Sequence, residues 1–285
     1  MFNGKLGQTV IRCNYCDLAY LNPIVSTEEK EDFYAKEFFD FMAARASNTG
    51  GGGWLNHDDH VAVNELQRQR RMVYIKEHLP QPGGRILDIG CSSGFMLYPL
   101  AEMGYECIGI EPAEASAKYV RSRGIDCYHD ITSLQTENVQ FEGFDLIIHF
   151  FVADQTADIY EFINKQLTML VPGGKIIFEI NSTDDPMLSL YKLPAFDEFY
   201  WTVAQNFYFS QISFDFFLKM FHLSYEIMLD QRYDLSNHIV WASNGKPGGM
   251  GRFTKTLGAE IEDAYRQALV KAGRCDTLVG ILTQS

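Results

Sequence analysis

The stretch that most constrains this 285-residue chain is Arg85 to Pro112, RILDIGCSSGFMLYPLAEMGYECIGIEP. Ile86, Leu87 and Ile89 supply the apolar run of a strand buried in a parallel sheet. Gly90 and Gly94 follow. Neither carries a Cβ, so the backbone turns sharply and approaches a ligand closely. The spacing predicts a helix over 94–103 stopped by Gly104, then a second strand over 106–110. Glu111 stands at that strand's tip, 23 residues after Asp88. A carboxylate in that place accepts both hydroxyls of a ribose. Such a unit builds a nucleoside-binding crevice.

The turn discriminates among nucleoside ligands. A dinucleotide site asks for G-x-G-x-x-G, whose second glycine admits the pyrophosphate. Here the run is D-x-G-x-x-x-G through Asp88, Gly90 and Gly94, which disfavours a nicotinamide oxidoreductase. A P-loop requires G-K-[ST], and no lysine lies within the turn. What remains resembles motif I of the class I S-adenosylmethionine-dependent methyltransferases, commonly [VIL]-[LV]-[DE]-x-G-C-G-x-G. Ser92 stands where that family usually has a glycine. The resemblance implies an α/β fold, a doubly wound Rossmann-like sheet of seven strands, with S-adenosylmethionine as cofactor and S-adenosylhomocysteine as product. It places the amino-acid moiety along Gly90, Cys91, Ser92 and Gly94, with Asp88 reaching the methionine amino group directly or through water. Glu111, beside Pro112, would hold the ribose. Asp130 and Ile131 are expected near the adenine amino group and Phe150 near the adenine ring.

The rest of the chain keeps an alternating rhythm. Val61, Leu66, Met72, Ile75 and Leu79 recur near helical spacing over 60–79, ending at Pro80. A helix over 113–123, strands over 125–129 and 144–150, and a helix over 157–170 follow. The turn VPGG (171–174) then introduces a fifth strand, 175–180. Beyond it the aromatic-rich, proline-bearing residues 183–212 read as a lid or long loop. A helix over 213–221, a strand over 225–230, a helix near 255–272 and a final strand over 276–285 complete the pattern. In the family the seventh strand inserts between strands five and six. One methyltransferase domain therefore spans 56–285, with a substrate-side insertion over 232–274 and an extension over 1–55.

Net charge is −13, which argues against a nucleic-acid partner. No apolar run approaches the roughly 18 residues of a spanning helix, and the first 30 residues lack a secretion signal's profile. Six scattered cysteines suit a reducing cytoplasm. An oligomer is compatible with all of this. CNYCDLAYLNP (13–23) resembles the end of a zinc-ribbon prologue found before many such methyltransferases. Zinc wants four ligands, and Cys13 with Cys16 gives two. His57 and His60 lie some 40 residues away, so no metal is expected. From the resemblance, Tyr34 and Phe38 are candidates for a lid over the cofactor.

Methyl transfer is an in-line displacement that needs alignment, and a hydroxyl acceptor also needs a base. After strand four the related sequences commonly read H-V-L-E-H. This chain has Phe151-Val152-Ala153-Asp154-Gln155, without either histidine. Asp154 is a candidate base, or else the cap of helix 157–170. His149 reads as a satisfied buried histidine, and Glu179, inside the fifth strand, either faces the crevice or pairs with the sheet's surroundings. QRYDLSNHIVWASNGKPGG (231–249) resembles a segment of methyltransferases encoded with surface-polysaccharide genes. It offers Arg232, Tyr233, Asn237 and Trp241 for a carbohydrate ring and His238 as the leading base. Together these imply methylation of a hydroxyl or amine on a sugar, sugar nucleotide or other small metabolite. The absent histidines also suggest a second reading, a non-catalytic cofactor-binding scaffold.

Overall fold

The computed structural model describes residues 8–26, 28–30, 57–137 and 143–285. Tyr34 and Phe38 lie outside them. The chain opens with a hairpin, β1 (Thr9–Arg12) and β2 (Ala19–Asn22), in which Val10 faces Leu21. The helix expected over 60–79 is two, α1 (His57–Val63) and α2 (Glu65–Ile75). Its apolar stripe holds only in part. Met72 and Ile75 are buried, whereas Leu66 is 69% exposed. Arg71 and Tyr74 take inner positions on α2 instead, because a carboxylate in the sheet receives them.

The αβ alternation then runs as the sequence predicts: β3 (Arg85–Ile89), α3 (Leu97–Glu102), β4 (Glu106–Ile110), α4 (Glu114–Ser122), β5 (Asp126–Tyr128), α5 (Ile131–Glu137), β6 (Phe144–Phe150), α6 (Ile159–Leu167) and β7 (Leu170–Asn181). Residues 171–174 lie within β7 but bulge out of its pairing with β6, whose register jumps from Phe144 opposite Leu170 to Leu146 opposite Lys175, with Gly173 at φ +77°. These five strands pair in parallel. Next come α7 (Pro186–Ser189), α8 (Pro194–Tyr200), β8 (Phe207–Tyr208), α9 (Gln211–Lys219), β9 (Ser224–Asp230), α10 (Leu235–Asn244), α11 (Thr254–Leu257), α12 (Ala259–Lys271) and β10 (Thr277–Thr283). β10 slots antiparallel between β7 and β9, giving the seven-stranded order β5-β4-β3-β6-β7-β10-β9. The expected doubly wound sheet is the one that forms.

Strand alternation sorts the core onto two faces. Leu87, Ile147, Ile176 and Leu278 pack with Ile163 of α6 and Phe214 of α9. Ile86, Ile148, Ile177 and Val279 pack with Met72 and Ile75 of α2 and Leu100 of α3. Asp88 and Glu179 share the parity of this second set, so both carboxylates face α2.

Two expectations fail for physical reasons. Residues 183–212 are not a loop: Pro186 and Pro194 begin α7 and α8, where a missing N–H costs nothing. β8 joins the N-terminal hairpin as a third strand, with Ala19 opposite Tyr208. Leu21, Met187, Phe196 and Trp241 pack together in this region. The helix expected near 255–272 is broken into α11 and α12 at Gly258, whose φ is +92°.

Candidate active site

The turn after β3 is shaped by main chain. Gly90 has φ +75°, and a Cβ there would lie 2.7 Å from Val152 Cγ2. The N–H groups of Gly90 and Cys91 both donate to Ile110 O, at 2.8 and 3.1 Å, which ties the turn to β4. Ser92 adopts φ +50°. That is the left-handed region, which explains the family's preference for glycine there. Cys91 offers only its backbone, because its side chain is buried with Sγ 3.8 Å from Cys127 Sγ.

Asp88 is 2% exposed, and its Oδ1 has no hydrogen-bond partner among the described residues. Burial pushes its carboxyl up to about 8, assisted by Glu111 and opposed by Arg71. An unpaired buried carboxyl beside a glycine turn fits the ammonium of a methionine moiety. Glu111 accepts from Ser92 N at 2.9 Å and from Ala113 N at 2.8 Å, while burial still raises its pKa. Both carboxylate oxygens thus face the turn and the start of α4, with exposed Pro112 between. Asp130 Oδ1 accepts from Ser133 N at 2.7 Å, and that bond holds its carboxyl low at the entrance to α5. Ile131, half-buried, is the first residue of that helix. Phe150 lies under the Arg71 guanidinium, 3.9 Å from its ring centroid.

α1 packs on the same turn. His60 Nδ1 and Ser93 Oγ share a hydrogen bond of 2.7 Å, and the His57 ring stacks on Tyr119 at 4.8 Å. Sequence reading weighed these histidines only as distant metal ligands. Cys13 and Cys16 are free thiols in the hairpin turn. Among the described residues no group of three or more His, Cys, Asp or Glu side chains is placed to hold a metal ion.

The other half of the crevice is assembled from side chains at the tips of β6, β7, β9 and β10. Asp154 sits in a one-turn 3-10 helix, 1% exposed. It does not cap α6. Asp158 does, accepting from Glu161 N at 2.9 Å. Asp154 Oδ2 accepts from Gln205 Nε2 at 2.8 Å and weakly from Asn181 Nδ2 at 3.4 Å. Its Oδ1 has no partner among the described residues, and burial pushes the carboxyl up to about 6. Asn181 Oδ1 in turn accepts from Arg232 Nη2 at 2.9 Å, and Arg232 Nε reaches Asp276 Oδ1 at 3.4 Å. Asp276 also accepts from Gln231 Nε2 at 2.7 Å and Tyr233 N at 3.0 Å. A polar chain, Asp154–Asn181–Arg232–Asp276, therefore crosses four strand tips. Phe151, at φ +58°, presents its ring to Arg232 at 4.1 Å. Asp185 lies in the same field. Burial, and then the charge of Asp276, push it up to about 8. The Tyr200 hydroxyl is buried with no partner among the described residues.

The structure separates the remaining sequence candidates. Arg232 and Tyr233 stand at the strand tips. Asn237 donates to Gly248 O at 2.7 Å and fastens the Gly-Lys-Pro-Gly-Gly turn. Gly249 of that turn packs so closely that a Cβ would fall 2.4 Å from Val240 Cγ2. Trp241 is buried edge-on to Phe196 and Phe199, at 5.1 and 4.9 Å between ring centroids. His238, 3% exposed, shares a hydrogen bond of 2.6 Å between Nδ1 and the Tyr265 hydroxyl. Its Nε2 has no partner among the described residues, and burial pushes the ring down to about 4. His149 is buried but not satisfied. Neither ring nitrogen has a partner among the described residues, and the ring stacks on Phe178 at 4.9 Å. Burial lowers its pKa to about 3, so it sits in the core as a neutral ring. Glu179 pairs with α2: Arg71 Nε lies 3.0 Å away, the Tyr74 hydroxyl 2.6 Å, and Arg70 Nη2 2.7 Å as an ion pair off hydrogen-bond alignment. Burial opposes its charge, yet the Arg71 and Arg70 guanidiniums prevail and hold the carboxyl low.

Asn181, Asp185, Tyr200, Gln205 and Asp276 were not legible as site residues. No local motif marks them: Asn181 and Asp276 come together through the order of the sheet, and Asp185, Tyr200 and Gln205 through the helices and loop of 183–206.

A methyltransferase-domain family model matches residues 64–214, from α2 into α9. The chain belongs to this methyltransferase family. Its curated relatives include the ubiquinone biosynthesis O-methyltransferase of Agrobacterium fabrum, 33% identical over 104 residues, or 35% of this chain and 41% of that protein. The like-named enzyme of Chelativorans sp. is 30% identical over 130 residues, 40% of this chain and 51% of that one. The chain thus spans about half the length of the curated relatives it matches. Among solved structures, an S-adenosylmethionine-dependent methyltransferase from Archaeoglobus fulgidus gives a TM-score of 0.51 at 16% identity, covering 78% of this chain and 94% of that one. The plantazolicin methyltransferase BpumL, solved with S-adenosylhomocysteine, gives 0.53 at 14% identity, covering 90% and 94%. These likenesses establish the class I methyltransferase fold. The first of these solved proteins is named as S-adenosylmethionine-dependent, and the second carries S-adenosylhomocysteine. No helix among the described residues of this chain is long and apolar enough to cross a membrane.

Proposed function

We propose that this methyltransferase methylates a hydroxyl of a small polar acceptor, a sugar or sugar nucleotide, with Asp154 as the base. The observation that carries the reading is the bare, buried Oδ1 of Asp154 at the tip of β6. When bound, S-adenosylmethionine supplies a methyl group already activated by a cationic sulfur. The chain's own residues do the rest. Asp88 faces the ammonium, Glu111 the ribose diol, and Asp130 with Ile131 the adenine edge, while Gly90 to Gly94 line the cofactor with main chain. Holding the reactants in line contributes as much as about 7–11 kcal/mol in favourable cases. Asp154 accepts the hydroxyl proton on Oδ1. A carboxyl held near 6 is deprotonated at neutral pH and retains more basicity than an ordinary aspartate. His238, pushed down to about 4, is the weaker base, and its free Nε2 suits a hydrogen bond to the acceptor.

The polar lining favours a polyhydroxylated acceptor. Asp154 Oδ1, the Tyr200 hydroxyl and His238 Nε2 all have unmet hydrogen-bonding capacity in buried positions. Arg232 and Tyr233 add a cation and a ring at the strand tips, while Asn237 and Trp241 shape the wall behind them. The curated relatives are named O-methyltransferases, which supports a hydroxyl over an amine. Six unpaired cysteines fit a reducing cytoplasm. The test is methyl transfer to a panel of nucleotide sugars and of catechol-type phenols, with Asp154→Asn as control. Product on the sugars, lost in Asp154→Asn with cofactor affinity intact, is expected. Product on the phenols alone would overturn the acceptor class, and product on neither would overturn catalysis itself.

A further inference from the structure

The segment ahead of the methyltransferase motif reaches across to the base. Lys30 is 6% exposed, and its ammonium donates to Val203 O at 2.8 Å and to Ala204 O. The next residue, Gln205, holds Asp154 Oδ2 at 2.8 Å. Asn206 closes the same loop. Its N–H donates to Asp154 O at 2.9 Å, and its side-chain amide bonds both N and O of Val25, at 3.1 and 3.0 Å. Val25 and Lys30 therefore grip the 203–206 loop from one side while that loop grips Asp154 from the other. Burying an ammonium against carbonyls alone is costly. Burial lowers the Lys30 pKa to about 8, and the charge of Asp154 acts in the opposite direction.

We propose that Lys30 and Gln205 are positioning residues for Asp154: the ammonium fixes the 203–204 main chain, this fixes the Gln205 amide on Oδ2, and Oδ1 is left facing the acceptor. The proposal rests on the reading of Asp154 as the base. The N-terminal extension, through Val25 and Lys30, then serves the acceptor site. The charged and titratable groups facing Asp154 are Lys30, Tyr200 of α8 and, through Asn181, Arg232 after β9.

The test needs no acceptor. The full chain is labelled with carboxyl-carbon-13 aspartate, the Asp154 resonance is assigned by its loss in Asp154→Asn, and its midpoint is titrated. Gln205→Leu removes a hydrogen bond to the carboxylate and should move the midpoint up by about one pH unit. Lys30→Met should move it the same way. The double variant should shift it no further than the larger single change, because the two residues act in series. Lys30→Arg, which keeps charge and donors, should restore the wild-type midpoint. Additive shifts would make Lys30 an independent charge and overturn the proposal. An unchanged midpoint in Gln205→Leu would overturn it too, even if Lys30→Met does not fold. Turnover of Asp154→Asn reports separately on the base, so the two readings fail distinguishably.

Discussion

Around the turn after β3, the end proposed for the cofactor, the protein presents main chain and two carboxylates from one continuous stretch, Asp88 to Glu111. Around Asp154, the end proposed for the acceptor, it presents side chains drawn from Lys30, Asp154, Asn181, Gln205, Arg232 and Asp276. The first end depends on backbone shape: a glycine pressed against Val152, a serine held at positive φ, and a turn tied to β4 by two hydrogen bonds. The second end is a chain of polar contacts in which each group orients the next, so a single loss propagates. Electrostatics differ as well. Asp88 is raised by burial with one oxygen lacking a partner among the described residues, whereas Asp154 is raised less and keeps a partner on its other oxygen.

Substitutions that separate the two ends should break or sharpen this contrast. The largest effect is expected from Asp154→Asn, which should lower kcat by about 10²–10⁴-fold while calorimetry shows unchanged affinity for S-adenosylhomocysteine. Equal loss of both would mean that the ends are not independent. Trp241→Ala comes next. It removes the indole between Phe196 and Phe199 and should lower unfolding stability by about 3–5 kcal/mol in a urea titration. A stable variant with a raised KM would instead make Trp241 an acceptor contact. Glu111→Ala should weaken cofactor binding by about 10- to 100-fold, the equivalent of roughly 1.5–3 kcal/mol from lost charge-assisted hydrogen bonds, with little change in kcat at saturation. The smallest effect is in pH. The base must be deprotonated, and burial holds Asp154 near 6, so turnover should roughly double from pH 6 to 7 and flatten above. A profile that rises through 4 and is flat by 5 would match His238 instead.

How far the sequence could be read follows the same division. The motif from Ile86 to Glu111 is local, so its strand, turn and carboxylate follow from spacing alone, and the place of the last strand between the fifth and sixth follows from the family resemblance. The acceptor end depends on contacts between residues far apart in sequence. Gln205 lies 51 positions from Asp154, and Gln231 lies 45 from Asp276. No periodicity encodes such pairs. Asn237 and Trp241 were read as ligand contacts because amides and aromatic rings suit a sugar, but the same residue types also fasten a turn and fill a core. Pro186 and Pro194 misled in a similar way. Proline ends one helix and begins another, and only the three-dimensional neighbours decide which.

The central claim is that Asp88, protonated in the ligand-free protein, becomes the counter-ion of the cofactor's ammonium. Its carboxyl is raised to about 8, above the ordinary value of 3.8, so the folded protein binds the extra proton between those limits. That contribution to stability falls as pH rises through the window. Binding the cofactor should therefore expel the proton. Calorimetric titration of S-adenosylhomocysteine at pH 7, in two buffers of different ionisation enthalpy, measures this release directly. Close to one proton should be released per site, and none in Asp88→Asn. Binding with no proton released, or no binding at all, would contradict it.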